Sequence, residues 1–218
     1  GGAFDAHDGH DVAGAGRVDV LLLVGVHAED AADALLAPLA NDPRIGIVGS
    51  LALFPDGTIQ HAGGELLWPL GYGRNLGYGQ AAAPTAPAEP EYVAAVGVAL
   101  RRTMLDAIGL FDEGFNPAYF EDADLCLRAR AAGWRVHYAP DAVLTHHEGA
   151  LAAAGDYRHA ALLERNRLRL VLKHMPAAQL LGAFRAAEER QLAERLHDGS
   201  ATVLRRAYLD ALLMLPEL

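Results

Sequence analysis

Tyr119-Phe120-Glu121-Asp122-Ala123-Asp124-Leu125-Cys126-Leu127-Arg128, continuing to Gly133, is the stretch on which the fold reading turns. Ala123, Leu127 and Ala131 recur on one helical face, which predicts a helix over Tyr119–Ala132. Gly133 stands where a helix C-cap favours glycine. Beyond it, Arg135-Val136-His137-Tyr138, Pro140-Asp141 and Ala142-Val143-Leu144-Thr145 read as strand, turn and strand. On the other side, Val93–Leu100 is strand-like, and Arg101–Ile108 is a short helix ended by Gly109.

Further upstream, Val18–Val24 and Arg44–Gly49 read as short, apolar, buried strands. A helix with Ala34, Leu35 and Leu39 at helical spacing lies between them and stops at Asn41-Asp42-Pro43. Residues 1–17 show no clear periodicity, and the glycines from Gly63 to Gly79 with the Ala/Pro stretch 81–90 read as one long surface loop. Downstream, a helix runs from about Arg158 to Met175, with a further amphipathic stretch from Ala177. Alternating strands and helices predict an α/β fold with a mostly parallel sheet flanked by helices. The domain boundary is drawn at 157/158, with a core over 1–157 and a C-terminal helical extension over 158–218.

Eighteen basic against 28 acidic residues leave a formal net charge of −10. That balance argues against a nucleic-acid or anionic-membrane surface, which needs clustered Lys and Arg. A local basic pocket for a diphosphate is compatible with it. The single cysteine, Cys126, forms no internal disulfide and favours a reducing, cytoplasmic compartment. No apolar run reaches the roughly 20 residues of a membrane helix.

Several ordered motifs resemble family-two glycosyltransferases of the GT-A type, especially bacterial rhamnosyltransferase-like members. They are Asp42–Gly49, Asp56–Gly64, Gly109-Leu110-Phe111-Asp112-Glu113, Pro117–Arg128, Ala132-Gly133-Trp134-Arg135-Val136, Tyr138-Ala139-Pro140, His146-His147-Glu148-Gly149 and Glu164-Arg165-Asn166-Arg167-Leu168. The resemblance covers roughly residues 20–175. It implies a nucleotide-sugar donor, a glycan or lipid-linked hydroxyl acceptor, and transfer with inversion. It also implies a core lacking the opening strands that cradle the nucleotide base.

At the start of its helix, a carboxylate is stabilised by the helix dipole, which lowers its pKa. Such a group can take the proton of an attacking sugar hydroxyl. By resemblance Asp122 is the general base; by position alone, Glu121 and Asp122 equally serve the helix N-terminus. Glu121 and Tyr119 line the acceptor side or simply pack. Arg128, with Arg130, faces solvent or adds charge beside the diphosphate. His146 is implied as a ligand of Mn2+ or Mg2+, with His147 the alternate. Where the family carries an acidic metal motif, this chain has Val24-Gly25-Val26-His27-Ala28-Glu29-Asp30, placing His27 and Glu29 at the metal positions. His61 falls in a matching motif with no role assigned.

Two rival readings stand beside this one. An inactive remnant of the fold would bind sugars or partners without turnover. A metal-dependent hydrolase would use Asp5, His7, Asp8, His10 and Asp11, in a segment read as having neither helix nor strand. An apolar face on the helical tail would allow peripheral docking at the inner face of a membrane.

Overall fold

The structure is a computed structural model that describes residues 5–12, 16–24, 29–81, 86, 88–147, 157–198 and 201–214. Among the described residues eight strands are formed: β1 Asp5–Val12, β2 Gly16–Val24, β3 Ile45–Leu53, β4 Ile59–His61, β5 Gly64–Leu67, β6 Tyr72–Asn75, β7 Gly97–Arg101 and β8 Arg135–Thr145. The helices are α1 Glu29–Asn41, α2 Arg102–Ile108, α3 Glu121–Ala131, α4 Tyr157–His174, α5 Ala177–Gln179, α6 Arg185–Asp198 and α7 Ala201–Met214. A 3-10 turn spans Glu113–Phe115 and a π-helical turn Leu180–Phe184. Contacts divide the chain into two compact units. The first comprises Gly1–Glu65, Arg74–Phe111 and Asp122–His147; the second comprises Leu66–Gly73, Asp112–Glu121 and Glu148–Leu218.

The first unit is α/β. Its sheet runs β1-β2-β7-β3-β4, with β8 also paired to β3. Helix α1 packs on β3 and β8, and α2 on β2 and β7. Leu35, Leu36 and Leu39 of α1 meet Ile45, Val48, Ala99, Ala139 and Ala142 in one buried cluster. Each such leucine contributes about 1.5–3 kcal/mol when fully buried. Arg101, closing β7, donates to the carbonyls of Leu39 at 2.6 Å, Asp42 at 3.1 Å and Ile45 at 2.7 Å. A cation thereby reaches the Leu39 carbonyl in the last turn of α1, where the helix supplies no further donors.

Four sequence expectations change here. The sheet is not mostly parallel among the described residues: β3–β8 is parallel, whereas β1–β2, β2–β7, β3–β4 and β3–β7 are antiparallel. Short links join β1 to β2 and β3 to β4, and short links impose antiparallel pairing. Residues 5–12 are a strand, because their backbone pairs with β2 and needs no apolar alternation of its own. Within 63–90, β5 and β6 form a two-stranded sheet. The two strands expected at 135–145 are one strand, β8, whose register against β3 shifts between Ser50 and Leu51.

The second unit is helical. Leu168 of α4 packs with Ala207 and Ala211 of α7, joined by Leu172, Phe184 and Tyr208. Arg167 is fully buried, paired with Glu164 at 2.7 Å and Glu188 at 2.6 Å, and donates to the Leu70 carbonyl. Pairing and hydrogen bonding on all sides are what make a buried guanidinium tolerable. None of the described helices is long and apolar enough to cross a membrane.

Candidate active site

In the first unit, Asp122 lies in the opening turn of α3 and is partly buried. Its Oδ1 accepts the Ala123 N–H at 2.7 Å, and its Oδ2 faces the Ala95 N–H at 3.4 Å. Burial raises its pKa, and the N–H groups of Ala123 and Ala95 offset only part of that rise. The shift is therefore opposite in sign to the one expected from the helix dipole, because desolvation of the carboxylate outweighs the donors. One turn on, the buried Cys126 thiol takes the Val93 N–H, and burial pushes its pKa up to about 12. A thiol held protonated in this way is a packing residue.

Arg128 turns back along α3. Its Nε pairs with buried Asp124 at 2.8 Å, and its terminal nitrogens donate to the carbonyls of Ile108 and Leu110, each at 2.7 Å. In that position it ties α3 to the end of α2. Tyr138 is fully buried with Leu51, Ile59 and Ala62.

His146 follows β8, and its N–H continues the ladder to the Leu53 carbonyl. Its Nδ1 lies 2.8 Å from Oε1 of Gln60 on β4. With that oxygen as acceptor the proton sits on Nδ1, the arrangement in which a neighbour orients an imidazole. His27 lies outside the described residues, and Glu29 opens α1 with only its backbone described. Among the described residues no three His, Cys, Asp or Glu side chains come together as metal ligands. The described groups therefore do not by themselves form the donor set that Mn2+ or Mg2+ requires.

In the second unit, Tyr119 and Phe120 have φ of 77° and 71°. Two consecutive aromatic residues in the left-handed region are strained, which is why the helix begins at Glu121 and not at Tyr119. Asn166 of α4 holds this turn. Its Nδ2 donates to the carbonyls of Phe115 at 2.8 Å, Ala118 at 2.7 Å and Tyr119 at 2.9 Å. The Tyr119 ring stacks at a tilt on His159, 5.0 Å between centroids. Glu121 closes the turn and is partly buried. Asp112 caps the 3-10 turn and pairs with Arg169 at 3.0 Å and Lys173 at 2.7 Å.

Gln60, Ala95, His61 and Asn166 are the groups that reading the sequence did not tie to this chemistry. Each has a partner 27 to 86 residues away, and no local pattern encodes such pairs.

A family model described as "Glycosyltransferase like family 2" matches residues 36–172. The chain belongs to that family. It is 36% identical over 128 residues to the uncharacterized protein y4gI of Sinorhizobium fredii, covering 53% of this chain and 13% of that one. It is 34% identical over 128 residues to the O-antigen biosynthesis protein RfbC of Myxococcus xanthus, covering 53% and 10%. Over 133 residues it is 29% identical to the N-acetylglucosaminyl-diphospho-decaprenol L-rhamnosyltransferase of Mycobacterium tuberculosis, covering 53% and 42%. The chain thus spans well under half the length of each of these relatives. A solved structure of GalNAc-T7 with UDP, GalNAc and Mn2+ aligns over 70% of this chain and 30% of its own, with a TM-score of 0.47 and 17% identity.

Proposed function

We propose that this chain carries the acceptor-side core of a GT-A-type glycosyltransferase, moving a sugar from a nucleotide diphosphate to a hydroxyl acceptor with inversion. One observation carries the reading: Asp122, at the family's base position, is a partly buried carboxylate whose pKa burial has raised. A base with a pKa moved towards neutrality takes a proton more effectively. The acceptor oxygen bonds to the anomeric carbon while its proton passes to Asp122. The anomeric bond to phosphate breaks on the opposite face, and its electron pair leaves with the nucleoside diphosphate.

Tyr119, Glu121 and Arg128 are the residues that the resemblance implies for substrate binding in this reading. The divalent ion implied by the resemblance would be held in part by His146, with His27 and Glu29 as the further ligands. The chemistry at Asp122 stands on protein groups alone. The core spans 1–157 and the helical extension 158–218, and the lone buried cysteine suits a cytoplasmic reaction. Release of nucleoside diphosphate from UDP-glucose, GDP-mannose and dTDP-L-rhamnose with Mn2+, compared between the chain and Asp122→Asn, tests the reading. Turnover that disappears in the variant supports it; equal turnover in both overturns the base assignment.

A further inference from the structure

His61, at the end of β4, is only 2% exposed, and both of its ring nitrogens are engaged. Nε2 accepts the backbone N–H of Ala94 at 2.9 Å. A backbone donor there requires Nε2 to be unprotonated, so Nδ1 carries the proton and donates to Oδ1 of Asn75 at 3.0 Å. That same oxygen accepts the Tyr92 hydroxyl at 2.9 Å. Burial pushes the imidazole pKa down to about 4, although the Asn75 bond works the other way. The ring is therefore neutral around neutral pH and held in one tautomer.

What His61 holds is the segment Tyr92–Ala95. Tyr92 and Gly64 exchange backbone hydrogen bonds at 2.9 and 3.2 Å, which anchors the start of the segment. From there the successive N–H groups find partners on different elements. The Ala94 N–H goes to His61, while the flanking N–H groups of Val93 and Ala95 go to α3. Val93 reaches the Cys126 sulfur, and Ala95 faces Oδ2 of Asp122.

The geometry points to His61 as a positioning residue for Asp122: by fixing the Ala94 amide, it aims the Ala95 amide at the carboxylate. This role rests on the reading of Asp122 as the base. It uses His61 as a hydrogen-bond acceptor, and neither charge nor metal binding enters. A histidine that merely filled space would leave the carboxyl's titration untouched when replaced by a residue of similar bulk.

The test follows the Asp122 carboxyl by 13C NMR in the full 218-residue chain, together with the Ala95 amide resonance. Tyr92 and Cys126 respond electrostatically to the Asp122 charge, but burial moves both upward, so they keep their protons through the acid range. His61→Leu removes the acceptor, frees the Ala95 amide and raises the Asp122 midpoint by about half a pH unit. His61→Gln, whose Oε1 can accept the Ala94 N–H, keeps the midpoint near that of the parent chain. An unmoved midpoint in His61→Leu, or equal shifts in both variants, overturns the role. Should His61→Leu fail to fold, Asn75→Ala frees the other side of the ring and moves the midpoint the same way; no movement there overturns the role too. Turnover in Asp122→Asn separates the two ideas. If that variant stays fully active, the base assignment falls. If it is inactive while the His61 variants titrate like the parent, only the positioning role falls.

Discussion

The Ala95 N–H faces Oδ2 of Asp122 across 3.4 Å, joining the chain just before β7 to the first turn of α3. That approach is long for a hydrogen bond to a carboxylate and stabilises the anion only weakly. The Ala123 N–H at 2.7 Å is the stronger donor, yet burial still prevails and the Asp122 pKa rises. Asp122 is thus a carboxylate that meets two backbone donors and still has its pKa raised by desolvation.

Asp122→Asn keeps the shape of the side chain and removes the proposed base. Nucleoside-diphosphate release should fall by about 10²–10⁴-fold, the range that general base catalysis contributes. The melting temperature should hold or rise, because an ionised carboxylate no longer has to be kept partly out of water. Full turnover in a folded variant would remove Asp122 from the reaction.

The raised Asp122 pKa places the acid limb of the pH–rate profile above the ordinary aspartate value of 3.8. As the proposed base, Asp122 works only when ionised, so activity should be lost as pH falls through the folded-state pKa and be complete above it. A kcat/KM profile that stays flat down to pH 4 would contradict this.

Gly49 of β3 has no room for a side chain, since an added Cβ would stand 2.3 Å from the Val93 Cβ. Gly49→Ala must push Val93 and with it the Tyr92–Ala95 segment. Overpacking of this kind costs about 1–3 kcal/mol. Urea unfolding should show that loss, and the Ala95 amide resonance should shift with it; a neutral substitution would show that the segment yields freely.

Asn166→Ala withdraws one amide from the carbonyls of Phe115, Ala118 and Tyr119 at once. Leaving buried acceptors unsatisfied costs about 1–3 kcal/mol, and the turn at Tyr119 and Phe120 is already strained. The denaturation midpoint should drop. Asn166→Asp should be worse than Asn166→Ala, because it sets a carboxylate against three carbonyl oxygens; the reverse order would refute the cradle.

Burial alone would raise the pKa of Asp112, but Lys173, the Gly114 N–H and Arg169 together hold it well below the usual carboxylate range. A depressed folded-state pKa contributes stability above the unfolded value near 3.8, and that stability is lost as pH falls through the folded value. Asp112→Asn should therefore lower stability at neutral pH and narrow its gap to the parent chain in strong acid, as read from unfolding at pH 7 and pH 2. A constant difference between the two pH values would show that the pairs with Lys173 and Arg169 do not set the acid response.

Much of the first unit could be read from its residues. The strand at 18–24, the helix ending at Asn41, the strand from 44, the short helix before Gly109 and the helix through Asp122 all have counterparts in β2, α1, β3, α2 and α3. These elements are legible because apolar periodicity and glycine or proline stops act within one or two turns of chain. The family motifs were likewise legible, since they are contiguous stretches of sequence.

The sign of the Asp122 pKa shift was not legible, nor was the start of α3, the pairing directions of the sheet or the partners of His61. The balance at a carboxyl depends on groups brought to it by the fold, and one of them, the Ala95 amide, lies 27 residues from Asp122 in the chain. The helix begins at Glu121 because Asn166 cradles the turn before it, and Asn166 lies 47 residues beyond Tyr119. The sequence by itself determined these elements and the family motif that carries Asp122, because both are local. Only the tertiary structure decided how the Asp122 carboxyl is tuned, because tuning is the work of groups brought together from distant parts of the chain.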